Sequence, residues 1–144
     1  MTDYLKEHLN VWWLRPEQAV WDARASEIAE PFSPKSPSLD LGCGNGLYSF
    51  IAAGGSIGAG YDWFTHARSA GFAKNKDSYD VPLRFDPSSH IRRGPRYRFD
   101  FALDHKPNLL AQAGRLGLYK NLKQGDGNAR LPFEDGELKT VYSN

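Results

Sequence analysis

A chain of 144 residues can build one hydrophobic core and is too short for two comfortable domains. With 24% charged residues and a formal net charge of +1, no global field draws it to nucleic acid or to an anionic membrane. The single cysteine, Cys43, excludes an intrachain disulfide and a cysteine-rich zinc site and fits a reducing, cytoplasmic setting; no segment reaches the apolar length of a membrane span, so no membrane partner is expected.

From Tyr4 to about Ile28 the sequence lacks glycine and carries helical signals, with Pro16 placed to open a helix after Arg15. Val20, Trp21, Arg24, Ala25 and Ile28 suit one face of it. The Pro31-Phe32-Ser33-Pro34-Lys35-Ser36-Pro37 stretch cannot continue a helix and reads as a linker, which sets residues 1–37 apart as an N-terminal helical segment.

A short apolar strand then ends in Asp40-Leu41 and runs into Gly42-Cys43-Gly44-Asn45-Gly46, followed by a helical pattern containing Tyr48, Phe50, Ile51, Ala52 and Ala53. Glycines at alternate positions let backbone approach backbone or ligand where a Cβ would collide, so this strand-to-helix turn is built to receive a ligand. A dinucleotide fingerprint needs its third small residue one position later, where Leu47 stands, and Asp40 would repel a pyrophosphate. Cys43 fits as a small packing residue rather than a nucleophile. From about residue 55 to 98 proline, glycine and charge recur without a long period, which reads as an insertion with short elements of its own. Within it, Ile91-Arg92-Arg93-Gly94-Pro95-Arg96-Tyr97-Arg98 interleaves arginine with tyrosine, a pattern shared by RNA contacts and by solvated loops.

Order returns with a strand from Tyr97 to Asp104, a helix over Asn108–Leu116 opened by Pro107, a short strand from Leu122 to Asp126, and a last strand over Thr140–Ser143. Strand and helix alternate, which predicts parallel βαβ units. His8, His66, His90 and His105 lack metal-ligand spacing, and no metal site is expected.

The acid before the Gly-x-Gly-x-Gly turn, the strand-end acids that follow, and the run Gln124-Gly125-Asp126-Gly127-Asn128 with Leu131-Pro132-Phe133 behind it resemble the class I S-adenosylmethionine-dependent methyltransferases. The resemblance implies an α/β Rossmann-like sandwich with a mostly parallel sheet over residues 38–144, preceded by N-terminal helices and truncated after the fourth of the usual seven strands. It implies S-adenosyl-L-methionine as cofactor and methyl transfer to an acceptor, a small molecule in the first instance. The cofactor contacts it assigns are Asp40, Gly42, Cys43, Gly44, Asn45 and Gly46 in the first motif, Asp126 and Gly127 at the adenine, and Asn144 at the end of the fourth strand. Two acids compete for the ribose: Asp62, at the usual family distance from the turn, and Asp104, which ends a strand and leads into a convincing helix. Asp104 is the expected one. Family N-terminal helices often lie over the cofactor, which would make Trp12 and Trp13 an aromatic wall and set Arg15 near the methionine carboxylate; a helix packed on the core explains the tryptophans equally well. No acceptor-side base is named. The rival readings are a non-catalytic module of the same fold and an NAD(P)-dependent oxidoreductase, and the open edge left by the fourth strand is expected to favour self-association.

Overall fold

The structure, a computed structural model, describes residues 2–59, 61 and 86–144. Two helices come first, α1 (Tyr4–Val11) and α2 (Pro16–Ala29), followed by β1 (Ser38–Leu41), α3 (Leu47–Ala52) and β2 (Ser56–Ile57). Beyond a 3-10 turn at Pro87–His90 lie β3 (Ile91–Arg93), β4 (Phe99–Asp104), α4 (Pro107–Ala113), β5 (Tyr119–Gln124) and β6 (Thr140–Tyr142). The main sheet has the order β5-β4-β1-β6, and every ladder in it is parallel. The fold is therefore α/β with a parallel four-stranded sheet, compatible with a Rossmann-like architecture, and β6 lies beside β1. β2 and β3 form a separate antiparallel pair.

Local chemistry sets these bounds. The Asp3 carboxylate accepts from the Lys6 amide at 3.1 Å to start α1, Pro16 opens α2, and Gly46, at φ +76°, turns the chain into α3. What the sequence presents as one helical stretch is thus two helices with an elbow at residues 12–15. Ala19, Asp22, Ala23 and Ser26 form the buried face of α2, while Val20, Trp21, Arg24 and Ile28 share the exposed one. Small side chains let α2 lie close to α1 and α3, and that close approach decides the face over bulk hydrophobicity. β5 begins earlier than expected, at Tyr119, two residues after the left-handed Gly117, and stops at Gln124, so Asp126 stands in the following turn.

One core joins the N-terminal helices to the sheet layer: Tyr4, Val11, Trp12 and Ala19 share it with Phe50, Ile51, Ile57 and Phe99. The arginine-rich stretch fastens the same region. Arg93 Nε donates to the Gly54 carbonyl at 2.9 Å, Arg96 Nη2 donates to the Tyr4 hydroxyl at 3.1 Å, and Arg96 pairs with Glu30 at 3.6 Å. No helix among the described residues is long and apolar enough to cross a membrane.

Candidate functional site

The chain passes from β1 to β4 and β5 on one side, then returns to β6 on the other side of β1. The strand order therefore reverses between β1 and β6, and in open parallel sheets the crevice for a ligand lies at the carboxyl ends of the strands at such a point. The glycine turn follows β1 there. Its backbone is left-handed at Gly42, Gly44 and Gly46, with φ of +71°, +56° and +76°. The two later glycines serve different neighbours. A Cβ at Gly46 would come within 3.1 Å of both Leu116 and Tyr119, whereas a Cβ at Gly44 would meet no atom within 4 Å. Gly46 is glycine for packing, and Gly44 leaves open space.

The turn is held by its surroundings. Gly42 and Cys43 amides donate to the Leu103 carbonyl at 2.8 and 3.2 Å, and the Gly44 amide donates to Asp104 Oδ2 at 2.9 Å. The other Asp104 oxygen accepts from the Lys106 amide at 2.8 Å. Asp104 ends the strand next to β1, so its carboxylate ties the second strand-end loop to the first. Asp40 is buried under the turn and accepts from the Tyr119 hydroxyl at 2.6 Å. Burial raises its pKa and the Asp104 charge adds to the rise, while hydrogen bonds from Tyr119 and Ser49 oppose it. Burial also pushes the Cys43 thiol up, helped by Asp40 and Asp104, which makes it a poor nucleophile.

Asp126 and Gly127 reach the same end of the sheet. The Gly125 amide donates to the Asp104 carbonyl at 3.1 Å, and a Cβ on Gly127 would touch Leu41 at 3.7 Å. The Asp126 carboxylate is exposed and accepts from the Asn128 amide at 2.8 Å, forming a local turn whose amide holds its pKa down. Asp62 lies outside the described residues.

A cavity of about 210 Å³ opens beside the turn, bounded by Gly44, Asn45 and Tyr48 on one side and by Asn144, just beyond β6, on another. Trp12 and Arg15 from the α1–α2 elbow and Gln18 and Asp22 from α2 complete it together with Leu109. Of the two neighbouring tryptophans Trp12 is buried and faces this region, whereas Trp13 is exposed. Asp22 is the residue here that sequence reasoning missed. Its Oδ1 accepts from Gln18 Nε2 at 2.7 Å, and burial raises its pKa against hydrogen bonds from Gln18 and Trp12 and the charge of Arg15. Behind it, buried His8 bonds Ser26 Oγ through Nε2 at 2.9 Å and stacks on Tyr48, with its Nδ1 3.9 Å from Asp22. Tyr48 continues the polar chain through its hydroxyl to that of Tyr142, 3.1 Å away.

Among the described residues no group of three or more histidine, cysteine or acidic side chains could hold a metal ion. Compared with known proteins, the chain matches no family model, no curated protein and no solved structure.

Proposed function

We propose that this chain binds S-adenosyl-L-methionine and forms the cofactor site of a methyltransferase. The observation that carries the reading is the placement of the glycine turn, the strand-end acid Asp104 and the Asp126-Gly127 turn at the carboxyl ends of the adjacent strands β1, β4 and β5, with the Gly44 amide bonded to Asp104. In this reading the two oxygens of Asp104 meet the ribose diol, Asp126 accepts from the adenine amino group, the Gly127 amide meets a ring nitrogen, and Asn144 borders the reacting end. Gly42, Gly44 and Gly46, with Cys43 and Asn45 between them, keep the turn free of bulk where the ligand passes. The bound cofactor would supply a methyl group already activated by its sulfonium, so the task left to these residues is alignment and exclusion of water.

Leu47 and Asp40 weigh against a dinucleotide, for the reasons of shape and charge given above. Calorimetry with S-adenosylhomocysteine and with NAD tests the choice: micromolar binding of the first and none of the second is expected, and the reverse would replace the methyltransferase reading by the oxidoreductase one. In the same experiment Asp104→Asn should weaken S-adenosylhomocysteine binding about 10-fold or more, since a neutral amide loses a charge-assisted bond to the ribose. Binding without methyl transfer to any acceptor in a broad panel is the outcome that favours the non-catalytic module.

A further inference from the structure

The shape of the crevice depends on the glycine turn, and one side chain reaches both ends of that turn from across the sheet. Tyr119 opens β5, two strands away from β1. Its hydroxyl donates to Asp40 Oδ2 at 2.6 Å, just ahead of the turn, and its ring stands 3.1 Å from where a Cβ on Gly46 would lie, at the start of α3. Phe99, its partner on β4, backs the ring with centroids 6.2 Å apart.

The bond to Asp40 runs in one direction. Burial and the Asp40 charge push the Tyr119 phenol far above its ordinary value, so it remains the donor and Asp40 the acceptor. Asp40 is 2% exposed; burial pushes its carboxyl up, hydrogen bonds from Tyr119 and Ser49 hold it down, and the Asp104 charge adds to the rise. The other titratable groups set around it among the described residues are Cys43 in the turn, Tyr48 on α3, Tyr97 ahead of β4 and Tyr142 on β6, each with a raised pKa and neutral at pH 7. A carboxylate in such surroundings stays ionised only through its donors.

We propose that Tyr119 is the positioning residue of the crevice: by bonding Asp40 and bracing Gly46 at once, it fixes the glycine turn in the shape that receives the ligand. The assignment rests on the proposed function, in which the turn lines the cofactor, and it places Asp40 in the support of the turn rather than at the ligand. Without the Tyr119 hydroxyl, Asp40 keeps Ser49 as donor and still faces the Asp104 charge, so it takes up a proton at a higher pH and the turn loses its tie to β5.

Tyr119→Phe keeps the ring against Gly46 and Phe99 and removes only the hydroxyl. Calorimetry with S-adenosylhomocysteine on the full chain should show binding weakened about 10-fold at pH 7, the effect of one hydrogen bond to a charged group. The titration of the Asp40 carboxyl, followed by carbon NMR, should move up by about one pH unit. Part of the lost affinity should return as pH is raised through the new midpoint, because the carboxylate exists only above it. Asp40→Asn has no proton to gain, so its affinity should lack that recovery, and adding Tyr119→Phe to it should cost less than about threefold, since no charge is left for the hydroxyl to hold. If Tyr119→Phe does not fold, the unaltered chain and Asp40→Asn carry the test: the affinity of the first should fall more steeply in acid, and parallel profiles overturn the assignment. Full affinity in Tyr119→Phe, a loss that does not change with pH, or additive losses in the double variant also overturn it and leave the cofactor reading standing. Failure of the unaltered chain to bind S-adenosylhomocysteine at any pH overturns both.

Discussion

At the residue scale the two glycines of the turn separate ligand space from protein space. Gly44→Ala places a methyl group in a left-handed conformation that costs about 1 kcal/mol, but it meets no protein atom and projects toward the cavity that Gly44 lines. The expected outcome is a folded protein with impaired S-adenosylhomocysteine binding. Gly46→Ala meets Leu116, Tyr119 and Ala113 at 3.1 to 3.2 Å as well as the strain of φ +76°, and should cost about 2 kcal/mol or more. Urea unfolding and calorimetry on both variants read the two effects separately; a Gly44 variant with full affinity would remove the turn from the ligand's path. The turn was legible in the sequence because alternate glycines after a strand announce it locally, whereas the contact of Gly46 with Leu116 and Tyr119 was not. The partner of Asp40 and the place of Asp22 were not: Tyr119 lies 79 residues from Asp40, and Asp22 owes its place at the cavity to the elbow that turns α2 back toward the glycine turn. No periodicity carries contacts of that kind.

At the scale of elements, α1, α2 and α3 are joined by a polar cluster inside the core, with His8 at its centre. His8 is fully buried, its Nδ1 makes no hydrogen bond to a described residue, and burial lowers its pKa from 6.5 to about 3. The unfolded chain therefore binds a proton near pH 6.5 that the folded chain refuses until about pH 3, so this contribution to stability is complete above the unfolded value and declines as pH falls through the window. From pH 7 to pH 5 the loss should be about 2 kcal/mol. His8→Gln keeps a donor for Ser26 and has no proton to gain, so its urea midpoint should move much less over the same range. Asp22 and Asp40, with raised pKa values, act in the opposite sense in both proteins. Parallel pH profiles for the two proteins would show that His8 is not the source of the slope. The same cluster explains which face of α2 is buried. Ala19, Ala23 and Ser26 give close helix contact and Asp22 a polar partner, so the large apolar residues that periodicity favours are left outside. Strand-end acids followed by proline-opened helices were legible, as at Asp104 and Pro107, because both signals sit within a few residues of each other.

For the whole molecule the question is what the two open edges of the sheet do. β5 and β6 each pair on one side only among the described residues, but they are guarded differently. β5 carries Lys120 and Lys123, charges of the kind that discourage further strand pairing. β6 is Thr140-Val141-Tyr142, uncharged, with Val141 54% exposed. An uncharged edge with an exposed β-branched residue is a template for another strand, so association of this chain should proceed through β6 rather than β5. Val141→Lys adds one charge to that edge at a side chain that is 54% exposed, which opposes pairing at little expected cost to the fold. Sedimentation velocity over a range of concentrations should show association for the unaltered chain and a shift to monomer for Val141→Lys, with a substitution of matching charge on the exposed face of α2, such as Val20→Lys, leaving association unchanged. If Val20→Lys disperses the assembly and Val141→Lys does not, the apolar face of α2 holds the copies together and the sheet edge is a bystander.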